Sequence, residues 1–172
     1  MAAGGTSRKD RLPNPLSGLS LVEVRMVQDQ WEEVSKNRTA LGVEVFVTLF
    51  SQHPDYKKLF PKLAKKTLEQ LRTSKKVVEH GTMVMEAISD MVKQLQKPDA
   101  VLRLLRDKGR MHVKSNVTAE HFLNLRRVVM DVLEQRLKEK MDDKSTAAWS
   151  KTLDFVFSGL IVGVEEGMKK SK

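Results

Sequence analysis

Apolar residues recurring at intervals of three and four constrain this chain more than any other feature. From Val77 the line Val77, Gly81, Val84, Ile88, Met91, Val92 and Leu95 advances at that spacing, which fits one side of an α-helix and no one side of a β-strand. The same period runs through Leu21, Val24, Met26, Val27 and Trp31 near the start. It returns in Phe122, Leu125, Val128, Val129, Val132, Leu133 and Leu137, and again in Trp149, Leu153, Val156, Phe157, Leu160, Ile161 and Val164. No stretch alternates with period two, and no segment repeats. The expected class is all-α, with two long closing helices and several shorter ones, unlike an up-and-down bundle of four matched helices.

Punctuation divides the pattern. Ser20-Leu21-Val22-Glu23 fits a capping box, so the first helix starts there. A second helix from about Leu41 to Gln52 carries Val43, Val45, Phe46, Leu49 and Phe50, and its Gly42 lets another backbone approach closely. His53-Pro54 ends it. The segment PDYKKLF forms a short helical turn finishing at Phe60-Pro61, and a basic connection leads to about Ser74. Pro98-Asp99 breaks the chain before a helix from about Val101, past Gly109, to Met111-His112, and Thr118 caps the next one. Residues 1–18, rich in Gly, Pro, Ser and charge, read as a flexible tail; residues 19–168 form one domain and residues 169–172 a basic tail.

Composition narrows the function. The chain has 172 residues, enough for a single domain. It has no cysteine, which excludes disulfides, thiolate catalysis and Cys-ligated zinc or iron–sulfur centres. No run of about 20 apolar residues suits a bilayer. The first residues lack the apolar core of a secretory signal and have Ala2 where myristoylation requires Gly, so the expected location is cytoplasmic. Net charge is +9, a balance that can attract nucleic acid. However, Lys57, Lys58, Lys62, Lys65, Lys66, Lys75 and Lys76 alternate with apolar residues at helical spacing and lack interleaved aromatics. They read as a solvated face, with no nucleic-acid motif.

Of the four histidines, His80 borders the apolar line of the long central helix and His112 ends the next one. Trp31, Gly42, FSQHPDYKKLF with Pro54 and Phe60, Glu79-His80-Gly81, Gly109-Arg110-Met111-His112 and Trp149 occur in one order at compatible intervals. Together they resemble a globin over about residues 19–168. The resemblance implies a globin fold of about seven to eight helices enclosing a pocket for haem b. It makes His112 the proximal iron ligand and His80 the distal residue, either touching an external ligand or binding the iron itself as a sixth ligand. It also implies pocket walls at Phe60, Phe46, Val84, Val117 and Phe122. His53 and His121 are read as local structural residues.

Two positions depart from the family pattern. Met83 stands where globins often place a polar or basic residue beside a haem propionate, and Lys108 where an aliphatic side chain usually supports the haem. The Lys108 stem is apolar and its ammonium could snorkel to a propionate. The function implied by the resemblance is reversible dioxygen binding, for storage, transport or buffering. The competing expectation is a haem enzyme or a redox or gas sensor: a nitric oxide dioxygenase, nitrite reductase or peroxidase-like protein, taking other diatomic gases and borrowing electrons from a separate reductase.

Overall fold

The computed structural model describes residues 6–170, and every regular element among them is helical. Seven α-helices follow in order: α1 (Leu21–Val34), α2 (Arg38–Gln52), α3 (Leu68–Arg72), α4 (Lys75–Lys93), α5 (Pro98–His112), α6 (Ala119–Leu137) and α7 (Asp143–Lys170). Short 3-10 turns join several of them, including Pro54–Leu59 and Pro61–Leu63 between α2 and α3. The tail expectations for residues 1–5 and 171–172 lie outside the described residues. Within the expected N-terminal tail, the Asn14 side chain accepts from the amides of Leu16 and Ser17, and Ser17 is buried; Leu19, the first residue of the expected domain, is buried in the core. At the other end α7 continues to Lys170, past the expected boundary at residue 168.

Caps set the helix starts. The Ser20 hydroxyl accepts from the Glu23 amide at 3.2 Å while the Glu23 carboxylate accepts from the Ser20 amide at 2.8 Å, completing the box expected there. Asn37 accepts from the Ala40 amide and starts α2 three residues before the sequence suggested. The connection expected between Pro61 and Ser74 instead contains α3. Its signal was the Thr67-Leu68-Glu69-Gln70 capping box, with both reciprocal bonds formed, and the fully buried Leu71. On α1, Val24, Val27, Trp31 and Val34 face inward, whereas Leu21, expected on that side, is exposed.

Two glycine crossings position the rest. A Cβ on Gly42 would stand 2.4 Å from the Gly81 carbonyl, so the backbones of α2 and α4 touch there as the sequence anticipated. That contact also sets the rotation of α4. Its buried line is Val77, Gly81, Met85, Ser89 and Val92, leaving Val84 and Ile88 half-buried beside it instead of within the expected stripe. A second crossing joins α5 to α7, where a Cβ on Gly109 would lie 2.1 Å from the Leu160 carbonyl oxygen and one on Gly163 2.2 Å from that of Arg106.

The far side of the core is tied by polar bonds. Trp31 and Trp149 pack with ring centroids 6.1 Å apart. The Trp31 indole and Arg38 guanidinium both donate to the Ser89 hydroxyl, which donates to the Met85 carbonyl, linking α1, α2 and α4. By length and overall composition α7 is apolar enough to cross a membrane, although Lys151, Asp154, Glu165 and Glu166 interrupt it and no unbroken run of about 20 apolar residues occurs. Yet 61% of that stretch is buried inside the protein, where Trp149, Leu153, Val156 and Leu160 form the core.

Candidate functional site

The Gly42–Gly81 contact determines what surrounds His80. Phe46 lies one turn after Gly42, and His80 precedes Gly81, so the close crossing brings the two rings to 5.0 Å between centroids, edge to face. Phe60 approaches His80 from the loop after α2, at 5.1 Å. Phe50 in turn holds Phe60 at 5.7 Å. His80 is therefore half-enclosed by phenylalanine rings, and among the described residues neither of its ring nitrogens meets a hydrogen-bond partner. Burial, followed by the fields of nearby His112 and Lys76, pushes this imidazole from its ordinary 6.5 down to about 4. It is neutral at physiological pH.

His112 reaches the same region from α5. The face Val101, Leu105 and Gly109 is committed to packing, which leaves Leu104, Lys108 and His112 as a half-buried stripe beside it. The Nδ1 atom of His112 lies 2.7 Å from the Lys108 carbonyl oxygen. A carbonyl only accepts, so Nδ1 carries the proton and Nε2 keeps its lone pair. The ring packs edge to face on Phe122 at 5.3 Å, and Phe122 leans on Phe157 at 6.3 Å. After His112 the chain turns at Asn116, which has φ 57°, and delivers Val117 half-buried against the core.

His112 contributes to the field at His80; among the described residues His80 is free of hydrogen bonds, and His112 has an oriented ring with one nitrogen free. Val84 and Ile88, one and two turns beyond His80, extend the half-buried apolar surface along α4. Of the residues singled out in the sequence, Phe46, Phe60 and His80 form one cluster and His112 and Phe122 the other. Met83 is 57% exposed. Lys108 meets His112 through its main-chain carbonyl. His53 and His121 stand elsewhere: both rings pack on Tyr56, and His121 Nδ1 accepts from the Thr118 amide. Sequence reasoning passed over Phe50 and Phe157 as ring supports, although both had appeared as apolar helix positions, and it missed Asn116, whose tolerance of left-handed backbone was the available signal.

A bare metal ion finds no home among the described residues, since no group of three or more His, Asp or Glu side chains converges. An iron porphyrin brings four donors of its own and asks the protein only for axial nitrogens and apolar walls. Two imidazoles between aromatic and aliphatic side chains match that demand.

The family profile described as Globin matches residues 43–160. Cytoglobin-1 of Oryzias latipes is 29% identical over 143 residues, covering 82% of this chain and 81% of that protein. Globin-1 of Liolophura japonica is 24% identical, covering 88% of this chain and 98% of its own. Among solved structures, one titled as a hexacoordinated heme protein from an anhydrobiotic tardigrade at pH 4 superposes with a TM-score of 0.83 at 22% identity, over 88% of this chain and 99% of the other.

Proposed function

The chain belongs to the globin family, and from that premise we propose that it holds one haem b without covalent attachment and binds dioxygen reversibly. The observation that carries the reading is the bond from His112 Nδ1–H to the Lys108 carbonyl, which leaves the Nε2 lone pair free and would let it hold the haem iron. The absence of cysteine from the sequence rules out thioether attachment. The names of the relatives, cytoglobin and globin, support the same reading.

When bound, the haem supplies an iron that can take a diatomic gas on its open side. The residues of this chain do the rest. His112 holds the proximal side, and Phe122 fixes its ring plane. Phe60, Val84 and Val117 supply apolar walls, and Phe46 fills space on the distal side without offering a hydrogen bond. His80, neutral and without another partner, is the group free to donate N–H to a polar diatomic ligand.

One observation favours a second state of the same site. His80 has an unengaged nitrogen and lies near His112, so it can serve as the sixth ligand when no gas is present. External ligands would then compete with it, lowering their apparent affinity by the closed fraction. The test is the absorption of the purified protein, ferric and ferrous, with and without dioxygen or carbon monoxide. Two sharp visible bands in the ferrous, ligand-free form, lost in His80→Leu, mark internal ligation, and one broad band marks an open site. A slowly oxidising oxygenated form supports reversible binding. Rapid turnover with nitric oxide and a reductant, with no stable oxygenated form, would replace the proposal by an enzymatic one.

A further inference from the structure

On the proximal stripe of α5, Leu104 packs as an apolar wall and His112 presents its free nitrogen, which leaves Lys108 between them to be explained. It stands one turn before His112 on the same side of the helix, and like both neighbours it is half-buried. Its main-chain carbonyl accepts from His112 Nδ1–H. Its side chain makes no hydrogen bond and no ion pair among the described residues.

No carboxylate stands ready to neutralise it. The residues three and four positions away on α5, Leu104, Leu105, Met111 and His112, carry none. Asp107 pairs with Arg110, and Glu166 of α7 pairs with Arg110 and Arg106. A lysine whose apolar stem is half-buried carries its ammonium to the edge of the buried surface. A flat ligand lying on that surface with an anionic rim would meet the charge there. Haem b is such a ligand, an apolar ring with two propionate carboxylates on one edge. Across the site Met83 of α4 is uncharged and 57% exposed, so it offers those carboxylates no counter-charge.

We propose that the Lys108 ammonium anchors one haem propionate from the proximal side. One residue then serves the cofactor twice, its carbonyl orienting His112 and its side chain pairing with the carboxylate. This assignment rests on the haem-binding function proposed for the site.

Transfer of haemin from the ferric protein to an excess of an apo-globin acceptor measures the hold directly. In Lys108→Met, which keeps the length and the apolar stem and removes the charge, haemin should leave about fivefold faster. Lys108→Arg should stay near the wild-type rate. Reconstitution with haem dimethyl ester, in which both carboxylates are masked, should erase the difference between wild type and Lys108→Met. Salt gives an independent readout: raising ionic strength from about 0.01 M to about 1 M should speed haemin loss from the wild-type chain and leave Lys108→Met nearly unchanged. Lys93→Met, which removes the same charge from the far end of α4, should behave as wild type in every arm. Circular dichroism checks that each variant is folded, and the salt series on the wild-type chain needs no variant. An unchanged rate in Lys108→Met, an equal acceleration with the ester, a wild-type rate indifferent to salt, or the same effect in Lys93→Met would overturn the assignment. A wild-type chain that takes up no haem would refute the haem-binding function and this assignment with it, before any variant is compared.

Discussion

At the scale of single residues, His80 combines two properties that are usually separate: half-burial among phenylalanine rings and an unengaged ring nitrogen. If it stabilises a bound gas by one net hydrogen bond, worth about 1 kcal/mol, its loss speeds release about fivefold. Stopped-flow measurement on His80→Leu should show faster dioxygen release and faster autoxidation, with carbon monoxide affinity unchanged or raised. Equal weakening toward both gases would contradict the role. The lowered pKa makes a separate prediction for the haem-free chain. An unfolded His80 takes up its proton near 6.5, whereas the folded one resists until about 4. The unfolded state therefore binds more protons across that window, and stability falls as pH drops from about 6.5 to about 4. Urea titrations across the window should show this loss in the wild-type chain and a smaller one in His80→Leu. Of the site, the two histidines and their ring neighbours were legible because the family pattern names them. The bond that orients His112 was not, since a carbonyl four residues back leaves no mark on sequence.

At the scale of elements, the glycine crossing of α2 and α4 sets the placement of Phe46 beside His80. In Gly42→Ala the added methyl meets the Gly81 backbone at 2.4 Å, with no flexible side chain to yield. Such overpacking costs about 1–3 kcal/mol, a fall of several degrees in melting temperature for a domain of this size. The same shift would move Phe46 against His80 and should alter ligand release rates. A thermal melt and a rate unchanged from wild type would show that the helices part freely there. Gly42 was readable in advance as a close-approach position, whereas its partner was read only as part of an apolar line. Helix α3 escaped notice for a related reason: with 5 residues it is too short to show a period. Likewise the rotation of α4 follows from the tertiary contact at Gly81, which places Ser89 inside and Val84 at the margin.

For the whole molecule, the helix order and most helix limits were written in caps and periodicity, and the half-buried rim of Phe60, Val84, Ile88 and Val117 is what a chain shaped around a flat apolar ligand presents. Such a ligand, binding only the folded state at a thousand times its dissociation constant, adds about 4 kcal/mol. Removing haem should thus lower the melting temperature by roughly 10 °C, and readdition should restore it. The central claim is that His112 is the proximal ligand of a noncovalent haem, and the most direct test is the haem content and visible spectrum of His112→Ala beside the wild-type chain. The account predicts one haem per wild-type chain with a histidine-ligated spectrum, and loss of stable haem in the variant. A variant that purified with a full complement of haem and the wild-type spectrum would contradict it.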